Sequence, residues 1–444
     1  MGVFFGTDGL RGKTNDDLSS KIAEQCGNAL ATIFKNIKIL IGTDTRKSKD
    51  LFALAFAVGA INAGANVTYV GVCPTAGVSY LTQSEKFDFG VVISASHNPA
   101  EYNGIKIFDK NGKKISEKIE EQLEKRFLKN TIESFDKLGK FEVNFKLIEK
   151  YIHFLESVID VNLGGYKIVI DSANGSASQI ASKLFQNKGA EVFSTFDSYD
   201  GLNINDGCGA LHIETLVENV KNHNADFGVA FDGDSDRVIA VDEKGNVVDG
   251  DKLLCVFAKF YKSHNKLTPS VVVGTRHTNM GVEKHLFKHG IKLIRTDIGD
   301  KYVGAKLDEQ GLILGGEQSG HIFLKNLLST GDGILNGLFL SKIIKESQQK
   351  LSTLSKIETY FQVNQNIKVF DKMKVINSEQ LSKMVEMQEK IIGVGGRIMV
   401  RVSGTEPFVR VMVESKNQKL AQFVADEVSK TIKSVDGECG ICVE

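Results

Sequence analysis

Parallel α/β sheets followed by a smaller α+β domain are the fold predicted for this 444-residue chain. Two observations predict it. Short β-branched runs alternate with helical apolar patterns, and the strand–helix–strand order restarts twice, which is how parallel sheets are built. From Gln362 onward the pattern becomes short alternating strands with helices between them, the mark of an antiparallel sheet.

In the first stretch, Ile37–Ile41 and Asn66–Val72 read as strands around a helix over Leu51–Gly64. Phe87–Ile93 is a third strand and Ile115–Lys129 a charged surface helix. The pattern restarts with the strand Lys167–Ile170, the helix Ser178–Asn187 and the strand Ala190–Phe196. It restarts again with a helix over Asp251–Lys262, a strand over Ser270–Val273, a helix from Gly281 to Lys288 and a strand over Lys292–Arg295. The tail carries strands at Gln362–Val369, Arg397–Val402 and Phe408–Glu414, with helices at Glu379–Lys390 and Leu420–Ile432. Four domains are expected, at 1–152, 153–250, 251–365 and 366–444.

Composition narrows the function classes. Hydrophobic residues are 42% and charged residues 25%, ordinary for a globular chain. The 43 glycines meet only 4 prolines, which excludes collagen-like and proline-rich readings. Lys+Arg and Asp+Glu are 55 each, so no basic excess points to nucleic acid or a membrane surface, while a small anionic partner needs only local cations. The N-terminus lacks a basic segment followed by an apolar stretch, so no secretory leader is expected. The most apolar run, Leu51–Val67, is broken by Asn62 and two glycines and is shorter than the roughly 20 residues a span requires. A cytoplasmic location is therefore expected. The six cysteines are scattered, apart from Cys439 and Cys442, which read as ordinary thiols near the tail.

Four loops carry the chemistry. Asp232, Asp234 and Asp236 follow the apolar run Phe227–Phe231, and Arg237 comes next. Three carboxylates at the end of a buried strand repel one another unless a hard cation joins them. An EF-hand is excluded because Arg237 stands where that loop needs glycine, and because Val238–Val241 and Asn246–Val248 read as a hairpin. A strand-end Mg²⁺ site fits, and it implies phosphoryl chemistry. Ser94-Ala95-Ser96-His97-Asn98-Pro99 follows another strand. With no nucleophile elbow and no acidic orienter, a serine that carries a phosphoryl group fits better than an acyl-transfer triad. Arg401-Val402-Ser403-Gly404-Thr405-Glu406-Pro407, with Arg410, combines hydroxyls, a glycine and guanidinium forks suited to phosphate. Gly315-Gly316-Glu317-Gln318-Ser319-Gly320-His321 is a polar loop suited to sugar hydroxyls. Gly6–Gly12 and Asn103–Lys106 read as supporting loops.

These four loops, in this order, resemble the α-D-phosphohexomutase superfamily over essentially the whole chain. Within it the chain resembles most the bacterial branch that acts on glucosamine phosphates, on the evidence of Phe5–Gly12, Gly316–His321, Ser329–Gly333 and Arg401–Pro407. The resemblance implies three related mixed-sheet α/β domains plus a smaller C-terminal α+β domain around a central cleft. It implies interconversion of glucosamine 6-phosphate and glucosamine 1-phosphate, through a phosphoserine and a 1,6-bisphosphate intermediate that also serves as activator. That reaction lies on the route to UDP-N-acetylglucosamine. The alternative is the phosphomannomutase/phosphoglucomutase branch, and a phosphatase with an Asp nucleophile is the rival of another class.

By matching position, the resemblance makes Ser96 the phosphoserine, with His97 beside it. Asp232, Asp234, Asp236 and the seryl phosphate of Ser96 would hold one Mg²⁺. Glu317 and Ser319 would meet sugar hydroxyls. Arg401, Ser403, Gly404, Thr405 and Arg410 would hold the non-reacting phosphate. Arg11, Lys106, Arg237 and His321 would surround the transferring group, with Lys106 or His321 exchanging the proton. The partner is a small amino-sugar phosphate, with no nucleic acid and no membrane, and a homodimer is the candidate assembly. Two stretches depart from the family: Cys208–His212 and His277–Asn279. The second is expected in a loop that faces the sugar, so it bears on selectivity.

Overall fold

The computed structural model describes residues 5–6, 8–127, 132–133, 137–403 and 407–437. It divides into two compact units, one drawn from Met1–His277 and His289–Lys356, the other from Thr278–Lys288 and Ile357–Glu444.

The larger unit is built on three mixed sheets. In the first, seven strands lie in the order Phe5–Gly6, Gly9–Lys13, Tyr102–Asp109, Phe89–Ile93, Lys38–Thr43, Asn66–Val72, Phe141–Val143. The last four are mutually parallel and the first three antiparallel. The second sheet has five strands, Val247–Val248, Val238–Asp242, Phe227–Phe231, Lys167–Asp171 and Glu191–Thr195. The third has four, Lys292–Thr296, Val271–Thr275, Leu314–Gly316 and Ile322–Leu324. One feature recurs in all three: a strand paired in parallel with one neighbour turns back into an antiparallel strand. The turns between them are residues 94–101, 232–237 and 317–321. Each sheet thus delivers one polar loop at the same topological place, the carboxyl end of a parallel strand, where α/β sheets open toward ligands.

The turns can be polar because the strands beneath them are not. Phe89–Ile93 and Phe227–Phe231 are buried along their whole length. In the first sheet, the helices Ser20–Phe34 and Lys49–Asn62 pack closely, with Ser19 capping the first through the amide of Ile22. Glycine is required at their crossing. A Cβ on Gly27 would lie 2.0 Å from the Phe56 carbonyl oxygen, and one on Gly59 only 1.9 Å from that of Glu24.

The smaller unit is an antiparallel sheet of Phe361–Lys368, Phe408–Ser415 and Gly396–Val402. Val409, Val411 and Val413 share a core with Val424, Ala425 and Val428 from the helix Gln418–Asp436. The short helix Met280–Lys288 belongs to this unit: Asn279, just before it, is tied through its side-chain amide to the backbone of Tyr360.

Two expectations need correction. Asn103–Lys106 is not a loop but part of the strand Tyr102–Asp109, and Gly9–Lys13 is the strand beside it, with Arg11 opposite Gly104. Polar residues hide these strands in the sequence because their side chains serve buried polar partners instead of an apolar core. Gly315 and Gly316 likewise close a strand and do not open the loop. In the loop His277–Asn279, Thr278 and Asn279 are buried, and the Thr278 carbonyl accepts from Arg397.

Candidate functional site

The serine turn is held from outside itself. Arg46, fully buried, donates through its Nη atoms to the carbonyl oxygens of Ser96 (3.0 Å), Asn98 (2.7 Å), Tyr102 (3.0 Å) and Pro99, and through Nε to Asp44 (2.9 Å). Asp44 in turn accepts from the Ser94 hydroxyl at 2.6 Å, and Ser94 Oγ accepts the Ser96 amide at 2.8 Å. Asn205 adds two donations, to Ser96 O and Asn98 O. This frame holds Ser96 at a φ of 53°, a left-handed backbone that costs a side-chain-bearing residue about 1–3 kcal/mol. Ser235, in the middle of the acidic turn, has a φ of 62° and is held by the Ser176 hydroxyl at 2.9 Å and by the Gly333 amide on its carbonyl.

The two turns meet. Ser96 Oγ donates to Asp232 Oδ2 at 2.7 Å and lies 3.2 Å from His97 Nδ1. Asp232, Asp234 and Asp236 are buried and offer carboxylate oxygens within 4.8 Å of one another. Burial, with Asp236 and Asp234 beside it, pushes Asp232 well above the usual carboxylate range. Burial acts the same way on Asp236, but Lys106 and His321 hold that group well below the range. Asp234 Oδ1 is buried and has no hydrogen-bond partner among the described residues. Crowded carboxylates with an unspent oxygen fit a hard divalent cation.

Cations ring this cluster. Lys106, fully buried, reaches Asp234 at 2.7 Å, Asp236 at 3.1 Å and Asp8 at 3.0 Å. Burial opposes its charge, but these acids hold it as an ammonium well above the ordinary lysine range. Arg237 Nε lies 3.9 Å from Asp232 and 3.8 Å from Asp236. Arg11 bonds Asn98 Oδ1 at 3.1 Å and Asp8 at 2.5 Å. Burial, then Arg237 and Arg11, push His97 down to about 3, so its imidazole is neutral near pH 7.

The third turn adds His321, with Nδ1 3.4 Å from Asp236. Glu317 accepts the Gly299 amide at 3.0 Å, and burial followed by Asp300 raises its carboxyl above the usual range. Ser319 is half-buried at the turn. The turn lies against the acidic loop: Gly320 O accepts from Val238 N, and a Cβ on Gly320 would sit 2.3 Å from Val238 O.

In the smaller unit, Arg401 and Arg410 are directly opposite on antiparallel strands. Burial and then Arg410 lower the Arg401 pKa. Like charges facing across a ladder are unfavourable without an anion between them. Arg410 also reaches the Ser403 hydroxyl at 3.4 Å, and Lys372 donates to the Ser403 carbonyl at 2.8 Å. Gly404 and Thr405 lie outside the described residues, as do Cys439 and Cys442.

The sequence reading missed Asp8, Asp44, Arg46, Thr75, Lys114, Asn205 and Asp300. Thr75 bonds Asp234 Oδ2 at 2.5 Å through its hydroxyl. Local signals existed for Asp8, inside the Gly6–Gly12 run, and for Asp44 and Arg46, in the Gly42-Thr43-Asp44-Thr45-Arg46 run after a strand.

Four models of phosphoglucomutase/phosphomannomutase domains match in order: alpha/beta/alpha domain I at residues 2–133, domain II at 149–245, domain III at 249–360 and the C-terminal domain at 365–431. The chain belongs to the phosphoglucomutase/phosphomannomutase family. As a member of this family of phosphohexomutases, it is an isomerase. Among its relatives, a phosphoglucosamine mutase of Alkaliphilus oremlandii is 42% identical, over 98% of this chain and 99% of its own. Another, of Caldanaerobacter subterraneus, is 43% identical over 98% and 99%. Of solved structures, a phosphoglucomutase/phosphomannomutase family protein of Burkholderia thailandensis superposes with a TM-score of 0.83 at 23% identity, covering 98% of both chains. An Aspergillus fumigatus N-acetylphosphoglucosamine mutase, solved with GlcNAc-6P and magnesium, superposes with a TM-score of 0.67 at 17% identity, over 98% and 96%. Among the described residues no helix is long and apolar enough to cross a membrane.

Proposed function

We propose that this family member interconverts glucosamine 6-phosphate and glucosamine 1-phosphate. The observation that carries the reading is its similarity, at 41–43% identity over nearly the full length, to proteins named phosphoglucosamine mutase. The geometry supports the reaction class: a serine hydroxyl, three carboxylates and several cations converge on one point.

Phosphorylated Ser96 gives its phosphoryl group to the free hydroxyl of the sugar phosphate. The Ser96 Oγ–P bond breaks, the sugar O–P bond forms, and the sugar's proton ends on Ser96. The resulting 1,6-bisphosphate turns over and returns its other phosphoryl group to Ser96. Asp232, Asp234 and Asp236, with the seryl phosphate, would hold Mg²⁺, which when bound neutralises charge on the phosphoryl oxygens. Arg11, Lys106 and Arg237 stabilise the same charge. Proton exchange falls to Lys106 or His321, both of which touch Asp236. Glu317 and Ser319 bind sugar hydroxyls. Arg401, Ser403, Gly404, Thr405 and Arg410 grip the phosphate that does not react. The proposed setting is cytoplasmic, with a homodimer as the proposed assembly.

The test is a panel of glucosamine, glucose and mannose 6-phosphates, each with its 1,6-bisphosphate activator. Preference for the amino sugar is expected. Equal or greater turnover of the neutral sugars would favour the phosphomannomutase/phosphoglucomutase reading.

A further inference from the structure

Six groups of the larger unit form a closed circuit of alternating acids and bases. Asp236 contacts Lys106 (3.1 Å), Lys106 contacts Asp8 (3.0 Å), and Asp8 contacts Lys114 (2.5 Å). Lys114 contacts Asp300 (2.6 Å), Asp300 faces His321 Nε2 (3.6 Å), and His321 Nδ1 returns to Asp236 (3.4 Å). Lys114 is the member opposite Asp236. It is the one cation in this circuit shared by Asp8 and Asp300, so it joins the Lys106 side to the His321 side.

The circuit explains how two candidate proton-exchange groups from different sheets are held in register. The His321 ring is buried and wedged against Gly331, where a Cβ would lie 2.3 Å from Nε2. Asp236 faces the ring's Nδ1 at 3.4 Å, and its Nε2, buried with no hydrogen-bond partner among the described residues, has the Asp300 carboxylate 3.6 Å away as the charge that biases the ring. Asp300 is fixed from below as the first residue of the helix Asp300–Gln310, where the helix end favours a carboxylate, and from the side by Lys114. Asp8 is fixed by Arg11, Lys106 and Lys114. Without Lys114, Asp8 and Asp300 both lose the ammonium they share, and their two carboxylates are left to repel each other, which moves both away from the groups they orient.

We propose that Lys114 and Asp300 are positioning residues for phosphoryl transfer, acting through Asp8 on Lys106 and directly on His321. This rests on the phosphoryl-transfer reading above. Lys114 and Asp300 also wall a cavity of about 430 Å³, lined further by Lys113, Tyr302 and Phe323, which gives a small amine a way to a vacated ammonium position.

The experiment measures kcat, KM and thermal midpoint for wild type, Lys114→Met, Asp300→Asn and the double variant, with Lys113→Met as the control from the same cavity wall. Each single variant is expected to lose about 30-fold in kcat with KM changed less than about threefold, and the double variant to be little worse than either. In a fifth variant, Lys114→Ala, ethylammonium is expected to restore part of the turnover, and rescue no greater than its effect on Lys113→Met would overturn the proposal. Lys113→Met should match wild type. Near-wild-type kcat in folded Lys114→Met and Asp300→Asn overturns the proposal. So does a loss that multiplies in the double variant or tracks a fall in thermal midpoint. An inactive wild type would instead overturn the functional reading on which the proposal rests.

Discussion

The guanidinium of Arg46 donates to the carbonyl oxygen of Ser96 over 3.0 Å, from fifty residues upstream in the chain. The serine turn is thus oriented by a side chain of the neighbouring strand end. Replacing Arg46 with Met would leave several carbonyls and the buried Asp44 carboxylate without their cation. A loss of about 3–5 kcal/mol is expected, the range for stripping a buried charge of its partner. Urea unfolding measures it, and an unchanged midpoint would show that the turn holds itself.

Ser96→Ala removes the oxygen that the proposed relay requires. Turnover should fall by roughly a thousandfold or more, and the added phosphate on the 94–99 peptide should vanish from the mass spectrum. Activity surviving near the wild-type level would sink the covalent relay.

Chelation is predicted to stop turnover and added Mg²⁺ to restore it. Asp234→Ala should not respond to Mg²⁺, because it removes a carboxylate whose Oδ1 has no protein partner among the described residues. Calorimetric titration of Mg²⁺ into both proteins checks this without relying on catalysis.

Arg401 and Arg410 make a different prediction. Because they repel across the ladder, Arg401→Met should leave the smaller unit as stable as before or slightly more so. KM for the sugar phosphate should nonetheless rise about tenfold or more with the loss of a charge-assisted grip. Inorganic phosphate should stabilise the wild type more than the variant in a thermal scan.

The pH dependence of stability has a readable sign. Asp332 caps the helix Gly333–Ser347 through the Leu335 amide and accepts from the buried Tyr151 hydroxyl at 2.9 Å. Burial pushes its carboxyl up to about 6 from 3.8. A raised carboxyl binds its proton more tightly in the folded state. Its contribution is complete below about pH 4 and is lost as pH rises through about 6. Asp332→Asn has no such proton, so it should gain on wild type as pH rises from about 3 to about 7, by up to about 3 kcal/mol. Parallel urea midpoints that keep a constant gap would reject this.

The parts legible in the sequence are those whose chemistry is local. Three aspartates after Phe227–Phe231 repel one another wherever the chain goes, so a cation site could be read before any fold. The alternating strands of the tail read as readily, because each presents one apolar face. Arg46, Asn205 and Thr75 could not be read, because they serve atoms of remote segments: Asn205 bonds a carbonyl 109 residues away, Thr75 a carboxylate 159 residues away. Lys114 and Asp300 stand in charged stretches that look like solvated surface until the sheets bring them together. The strand Tyr102–Asp109 was obscured because its one lysine points into a nest of acids.

The recurrence of one hairpin in three sheets has a consequence for how the chain can change. On the proposed mechanism the first turn supplies the Ser96 hydroxyl, the second the three aspartates for the cation and the third the His321 ring beside Asp236, and no turn fills another's role. A repeat protein tolerates the loss of a module because its modules are alike. Here the copies share topology but divide the labour, so excising any one sheet removes a whole ingredient and leaves no fractional activity behind.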